Sequence, residues 1–130
     1  MPPAPATVRE MVVNVPAKGV VTVMVNGSGI CQNASDQNSQ LADFVVQIVD
    51  DDSTPRHTGP GGLLIRNMIP KAPTSSVASV VAFNLASHRV FTYSGPGQRT
   101  FKLQLRTLRM GPQVGCSAYS LNMTAVFNSQ

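Results

Sequence analysis

The sequence predicts an all-β domain, a sandwich or a barrel, and three observations carry that prediction. Seventeen valines, with 29 Ser, Thr and Asn residues among 130, favour strands joined by polar turns. Ten Gly and ten Pro punctuate the chain and argue against long helices. Short apolar segments follow one another with the period-two alternation of strands. The length suits one domain, since single domains commonly hold roughly 100–150 residues. Residues 1–7 are expected to form a flexible N-terminal segment and 8–130 a single β-sandwich domain. Charged residues make up 12% of the chain, about half the ~25% usual in soluble domains, which argues against disorder and coiled coil.

The strands can be placed in order. Met11–Val15 and Val20–Val25 are split by the turn signal Pro16-Ala17-Lys18-Gly19. Val21, Val23 and Val25 share one face of the second segment, and Val20, Thr22 and Met24 share the other. Both faces are largely apolar, so this strand is expected to be covered on both sides. Residues 26–40, rich in Asn, Gly, Ser and Gln, read as a long surface loop. Over 41–49 a helical stripe competes with strand alternation; β-branched density and the stop at Asp50-Asp51-Asp52 favour the strand. Residues 50–62 read as loop, followed by a short strand at Leu63–Ile65. Val77–Leu85 and Arg89–Tyr93 each alternate, the second placing Arg89, Phe91 and Tyr93 on one side. After the turn Ser94-Gly95-Pro96-Gly97 comes the clearest strand. There Phe101, Leu103 and Leu105 oppose Thr100, Lys102, Gln104 and Arg106. Leu108 breaks the phase and predicts a bulge near Arg106–Leu108. The last strand puts Tyr119, Leu121, Met123, Ala125 and Phe127 on one face.

Several function classes are disfavoured. The net charge of +4 is spread along the chain, whereas nucleic-acid binders concentrate charge and supply stacking aromatics. No nucleic-acid partner is expected. No apolar run approaches the ~18 residues of a membrane span, so no membrane insertion is expected. Three Asn-x-Ser/Thr triplets begin at Asn26, Asn33 and Asn122; they arise easily by chance in so Asn- and Ser-rich a chain.

Cys31 and Cys116 fit no CxxC metal or redox motif. One long-range disulfide and two buried thiols both remain open. The disulfide is favoured because each cysteine flanks a turn-like segment at one end of an apolar strand. It would imply an oxidising compartment or a virion surface.

No catalytic, metal or cofactor signature emerges, and the chain is expected not to be an enzyme. Asp50-Asp51-Asp52 could offer oxygens to Ca²⁺, but a solvated strand-end turn explains them more simply. His57 and His88 lack metal-like or triad-like neighbours. No Gly-x-Ser-x-Gly elbow occurs, and a single Glu makes paired acid catalysis unpersuasive. Lys102, Arg106 and Arg109 form the best polar stripe; it could meet an acidic group, a sugar hydroxyl or a neighbouring protomer, but an exposed sheet face guarded by charge is the favoured reading.

Three segments together suggest a family. They are Val15-Pro16-Ala17-Lys18-Gly19 leading into a valine-rich strand, Val90-Phe91-Thr92-Tyr93-Ser94-Gly95-Pro96-Gly97 turning into Thr100–Arg106, and the closing Tyr119–Phe127. The order resembles the C1q/tumour-necrosis-factor-like jelly roll, and is most similar to the bacterial lectin domains of that superfamily. The resemblance implies a ten-stranded jelly roll that trimerises and recognises glycans or cell-surface proteins without chemistry. It also implies sugars near the protomer boundary, meeting Tyr, Ser/Thr and Arg side chains. Arg109 falls where that pattern has its Arg, and Arg106 and Tyr93 complete the candidate ligand set. The expected setting is secreted or cell-surface. The rival expectation is a viral or phage structural protein (a capsid, decoration or fibre-tip jelly roll) on a virion.

Overall fold

The computed structural model describes residues 6–51 and 62–130. It is all-β, with no helix among the described residues. Seven strands run in the order β1 (Ala6–Val15), β2 (Gly19–Asn33), β3 (Gln40–Val49), β4 (Gly62–Ile69), β5 (Ser79–Tyr93), β6 (Gly97–Met110) and β7 (Val114–Ser129). They form two antiparallel sheets, ordered β1-β6-β3-β4 and β5-β2-β7, in a β-sandwich-like arrangement. Successive strands alternate between the sheets, except that β3 and β4 are neighbours. The resemblance implies ten strands; seven are present among the described residues.

Alternation decides what lies inside. Phe101, Leu103 and Leu105 of β6 are buried, and Val21, Val23 and Val25 of β2 join them in one core. Phe44 of β3 meets Phe83 of β5 at 5.0 Å between ring centroids, and Phe91 meets Phe101 at 5.1 Å. These tilted contacts link the two sheets and add to the stabilisation from burial. The ambiguous segment 41–49 is a strand, and Ala42 to Val49 are all buried. The predicted bulge is also present: Asp43 pairs with Arg109 and Phe44 with Thr107, which leaves Leu108 as the extra residue.

Cys31 and Cys116 are directly opposite on β2 and β7, with Cα atoms 4.1 Å apart, and form a disulfide. Of the two options for these residues, the structure takes the covalent one.

Five expectations need correction. First, residues 26–33 are strand, not loop, because β2 runs on to Asn33. Asn26, Ser28 and Gln32 face outward, while Gly27 and Gly29 face the interior where a Cβ would strike Leu121 and Phe83. Glycine there marks close approach rather than a turn. Second, Val77–Leu85 and Arg89–Tyr93 are not two strands, since β5 is continuous from Ser79 to Tyr93. Its odd residues stay inward through Ala86-Ser87-His88, so nothing in the phase requires a break. Third, Tyr119 does not share a face with Leu121. A register shift opposite Asn26–Ser28, with Ser120 at φ 54°, turns Tyr119 outward to 48% exposure while Leu121 is buried. Fourth, within one chain Val20–Val25 is covered on one side only: on the other, Met24 is 42% exposed. Fifth, two boundaries move. Ala6 and Thr7, assigned to the leading segment, pair with Leu105 and Gln104, and β4 continues past Ile65 to Ile69.

Candidate functional site

The outer faces of the two sheets differ in kind. On the four-stranded sheet, Asp43 sits outward on the central strand β3, flanked in register by Arg66 of β4 and Arg109 of β6. Arg66 donates through Nε to both carboxylate oxygens at 3.1 and 3.2 Å, and Arg109 donates through Nη2 at 3.4 Å. The Asp43 side chain is 2% exposed, while those of Arg66 and Arg109 are 61% and 66% exposed. A buried carboxylate needs paired cations and directed donors, and the two arginines supply both. The next row holds Leu64, Val45 and Arg106; the one after holds Gly62, Gln47, Gln104 and Thr7. Gln47 Nε2 donates to Gln104 Oε1 at 3.0 Å. Lys102 follows, opposite Glu10. The stripe Lys102, Arg106, Arg109 is therefore real and faces outward, joined by Arg66 into a patch with, among the described residues, four cations against Asp43 and Glu10.

Tyr93 is elsewhere. It ends β5 on the inward face and is 8% exposed. Its hydroxyl donates to Asp50 Oδ2 at 2.7 Å, and the Arg99 guanidinium lies 4.3 Å from the ring centroid. Burial first, then the hydrogen bond and negative charge of Asp50, push its pKa well above the ordinary tyrosine range. Arg99 and Arg109 are ten residues apart on β6, on the order of 30 Å at the strand rise. The structure thus brings Arg106 and Arg109 onto one face but does not bring Tyr93 to them. Arg89 is also inward and buried, donating to the Ile48 carbonyl at 2.9 Å.

Among the described residues, the outer face of the three-stranded sheet carries no Asp, Glu, Lys or Arg. From β2 come Val20, Thr22, Met24, Asn26, Ser28, Ile30 and Gln32; from β5, the even residues Val80 to Thr92. From β7 come Ser117, Tyr119, Asn122, Thr124, Val126 and Asn128. Val80, Val90 and Val126 are 56%, 51% and 44% exposed. His88, paired with Met24 across β2 and β5, stands on this face beside a shallow groove of about 420 Å³ floored by Thr22, Met24 and Ala86. A second depression of about 250 Å³ lies beside the disulfide, between Ile30, Gln32 and Ser117.

Other candidates resolve simply. Asn33 is fully buried: its Nδ2 donates to the carbonyls of Asn38, Ile69 and Pro70, and its Oδ1 accepts from Ser35 N. It pins the loop after β2 and is not open to glycosylation. Asn26 and Asn122 face each other across β2 and β7, with a side-chain hydrogen bond of 3.3 Å. His57 and Asp52 lie outside the described residues, and Asp50 is engaged by Tyr93. Among the described residues no group of three His, Cys, Asp or Glu is placed to hold a metal ion.

Sequence reasoning missed Arg66 and Asp43. The available signal was an acid at the third position of an apolar strand, which cannot be buried without a partner. What it could not show was that β4 and β6 both flank β3. No protein-family model matches the chain, and no curated protein or solved structure matches it.

Proposed function

We propose that this protein is a non-enzymatic recognition module with a jelly-roll sandwich, acting as a homotrimer on carbohydrate or another cell-surface ligand. The observation that carries the proposal is the division of its surface. One sheet offers a face with no formal charge among the described residues, with Met24 and several Val and Thr side chains exposed, suited to burial against copies of the chain. The other offers guanidinium groups held in place by a buried carboxylate, suited to hydrogen-bonding a polar ligand. Both cysteines are bonded to each other, so neither is a thiol nucleophile, and the disulfide favours a secreted, surface or virion setting.

A viral or phage structural role is the second reading. It is favoured by the long outer edges of β5 and β7, 15 and 16 residues, which no strand covers among the described residues. Such edges can pair laterally in a shell or fibre. The discriminating experiment is a glycan array probed with the native protein, with electron microscopy of the same sample. Glycan capture by discrete particles supports recognition. Open-ended assemblies without glycan capture overturn it in favour of the structural role.

A further inference from the structure

We infer that the Arg66–Asp43–Arg109 row is an oxyanion subsite, taking the sulfate or carboxylate group of an acidic saccharide. The inference deepens the recognition function proposed above and rests on it for the saccharide. The geometry supplies the rest. Arg66 spends only Nε on Asp43, and Arg109 spends only Nη2. Among the described residues, the Arg66 Nη pair and the Arg109 Nη1 and Nε meet no protein acceptor, and both side chains are mostly exposed. Two guanidinium groups are thus anchored at the back by one buried carboxylate and present N–H donors at the front.

Anchoring matters because an unanchored arginine loses side-chain freedom on binding, whereas here part of that cost is met by folding. Guanidinium geometry also matches the paired oxygens of sulfate and carboxylate. The charge is favourable: Asp43 neutralises only one of the two arginines. The surroundings favour a sugar over a bare ion. Leu64, Met68 and Leu108, exposed by 37%, 62% and 43%, lie on the same strands as the arginines and can take the C–H faces of a pyranose ring.

The test uses the whole protein, titrated by calorimetry with 6-sulfated N-acetylglucosamine and with its unsulfated form. Arginine Nε–H resonances are followed in parallel, with inorganic sulfate as a third probe. Arg66→Lys and Arg109→Lys each keep a cation for Asp43 while losing the fork, so the fold is retained. The expected result is a preference for the sulfated sugar of about tenfold or more, the worth of one charge-assisted hydrogen bond. Either lysine variant should erase that preference while melting near the wild-type temperature. Equal binding of both sugars, or a preference that survives both variants, overturns the subsite and leaves saccharide recognition standing. If inorganic sulfate shifts the arginine resonances but neither sugar binds, the saccharide assignment falls and a plain oxyanion site remains.

Discussion

The two outer faces of this molecule come from strands with the same period-two alternation, shorter in the four-stranded sheet and longer in the three-stranded one, yet they solve the problem of an exposed sheet in opposite ways. The β1-β6-β3-β4 face buries an acid at its centre and covers it with arginines, whose stems can lie along apolar surface while their heads stay in water. The β5-β2-β7 face has no charge and leaves Met24, Val80, Val90 and Val126 exposed. The first face is finished within one chain. The second leaves apolar side chains exposed, which is the basis of the assembly proposed for it. The difference shows that period-two alternation identifies inward residues but does not say whether the outward ones meet water or protein.

The largest expected effect tests what holds the three-stranded sheet together. The disulfide joins β2 to β7 across 85 residues of sequence. Replacing both cysteines by Ser should cost about 4 kcal/mol in the chain-entropy picture, read as a fall in melting temperature. If the loss is negligible, β7 is held by its ladder alone. The next effect belongs to the charged face. Arg66→Ala with Arg109→Ala leaves Asp43 buried without its cations, and chemical denaturation should report a loss of about 3 kcal/mol. Each single change should cost clearly less, since one arginine remains. Equal losses for the single and double variants would mean that only one pair matters.

A smaller effect sits at the far end of the sandwich, away from both faces. Tyr93→Phe removes the hydrogen bond to Asp50 and should cost about 1–2 kcal/mol at neutral pH. The sign of its pH dependence follows from the raised pKa. The folded state keeps the phenol proton past pH ~10, where the unfolded chain releases it. This contribution is therefore whole below pH ~10 and is lost as the pH rises above that value. Alkaline unfolding curves of wild type and Tyr93→Phe should converge, and parallel curves would contradict the cause given. The smallest effect on stability belongs to the uncharged face: Val90→Lys should change the stability of the folded chain by less than about 0.5 kcal/mol. Its consequence should be seen in association instead.

Much of the fold was legible because apolar alternation is strong over Thr100–Arg106 and Leu121–Phe127, and because Leu108 breaks phase where the bulge lies. Residues 26–33 were misread since Asn, Gly and Ser are turn formers by composition. Their glycines are instead spaced by two so that β2 can lie close against Phe83 and Leu121. Tyr119 was misread because a bulge inverts phase within one apolar run. The candidate site was half legible. Lys102, Arg106 and Arg109 follow from the spacing on one strand. Asp43 and Arg66 depend on β3 lying between β4 and β6, which no local pattern records.

The central claim is that the uncharged face is an assembly surface, and its most direct test is native mass by multi-angle light scattering on a sizing column. Wild type should run near three times 13.8 kDa over a broad concentration range, and Val90→Lys should fall to a single chain with its strand content intact. A wild-type monomer at every concentration, or a Val90→Lys variant with unchanged mass, would contradict it.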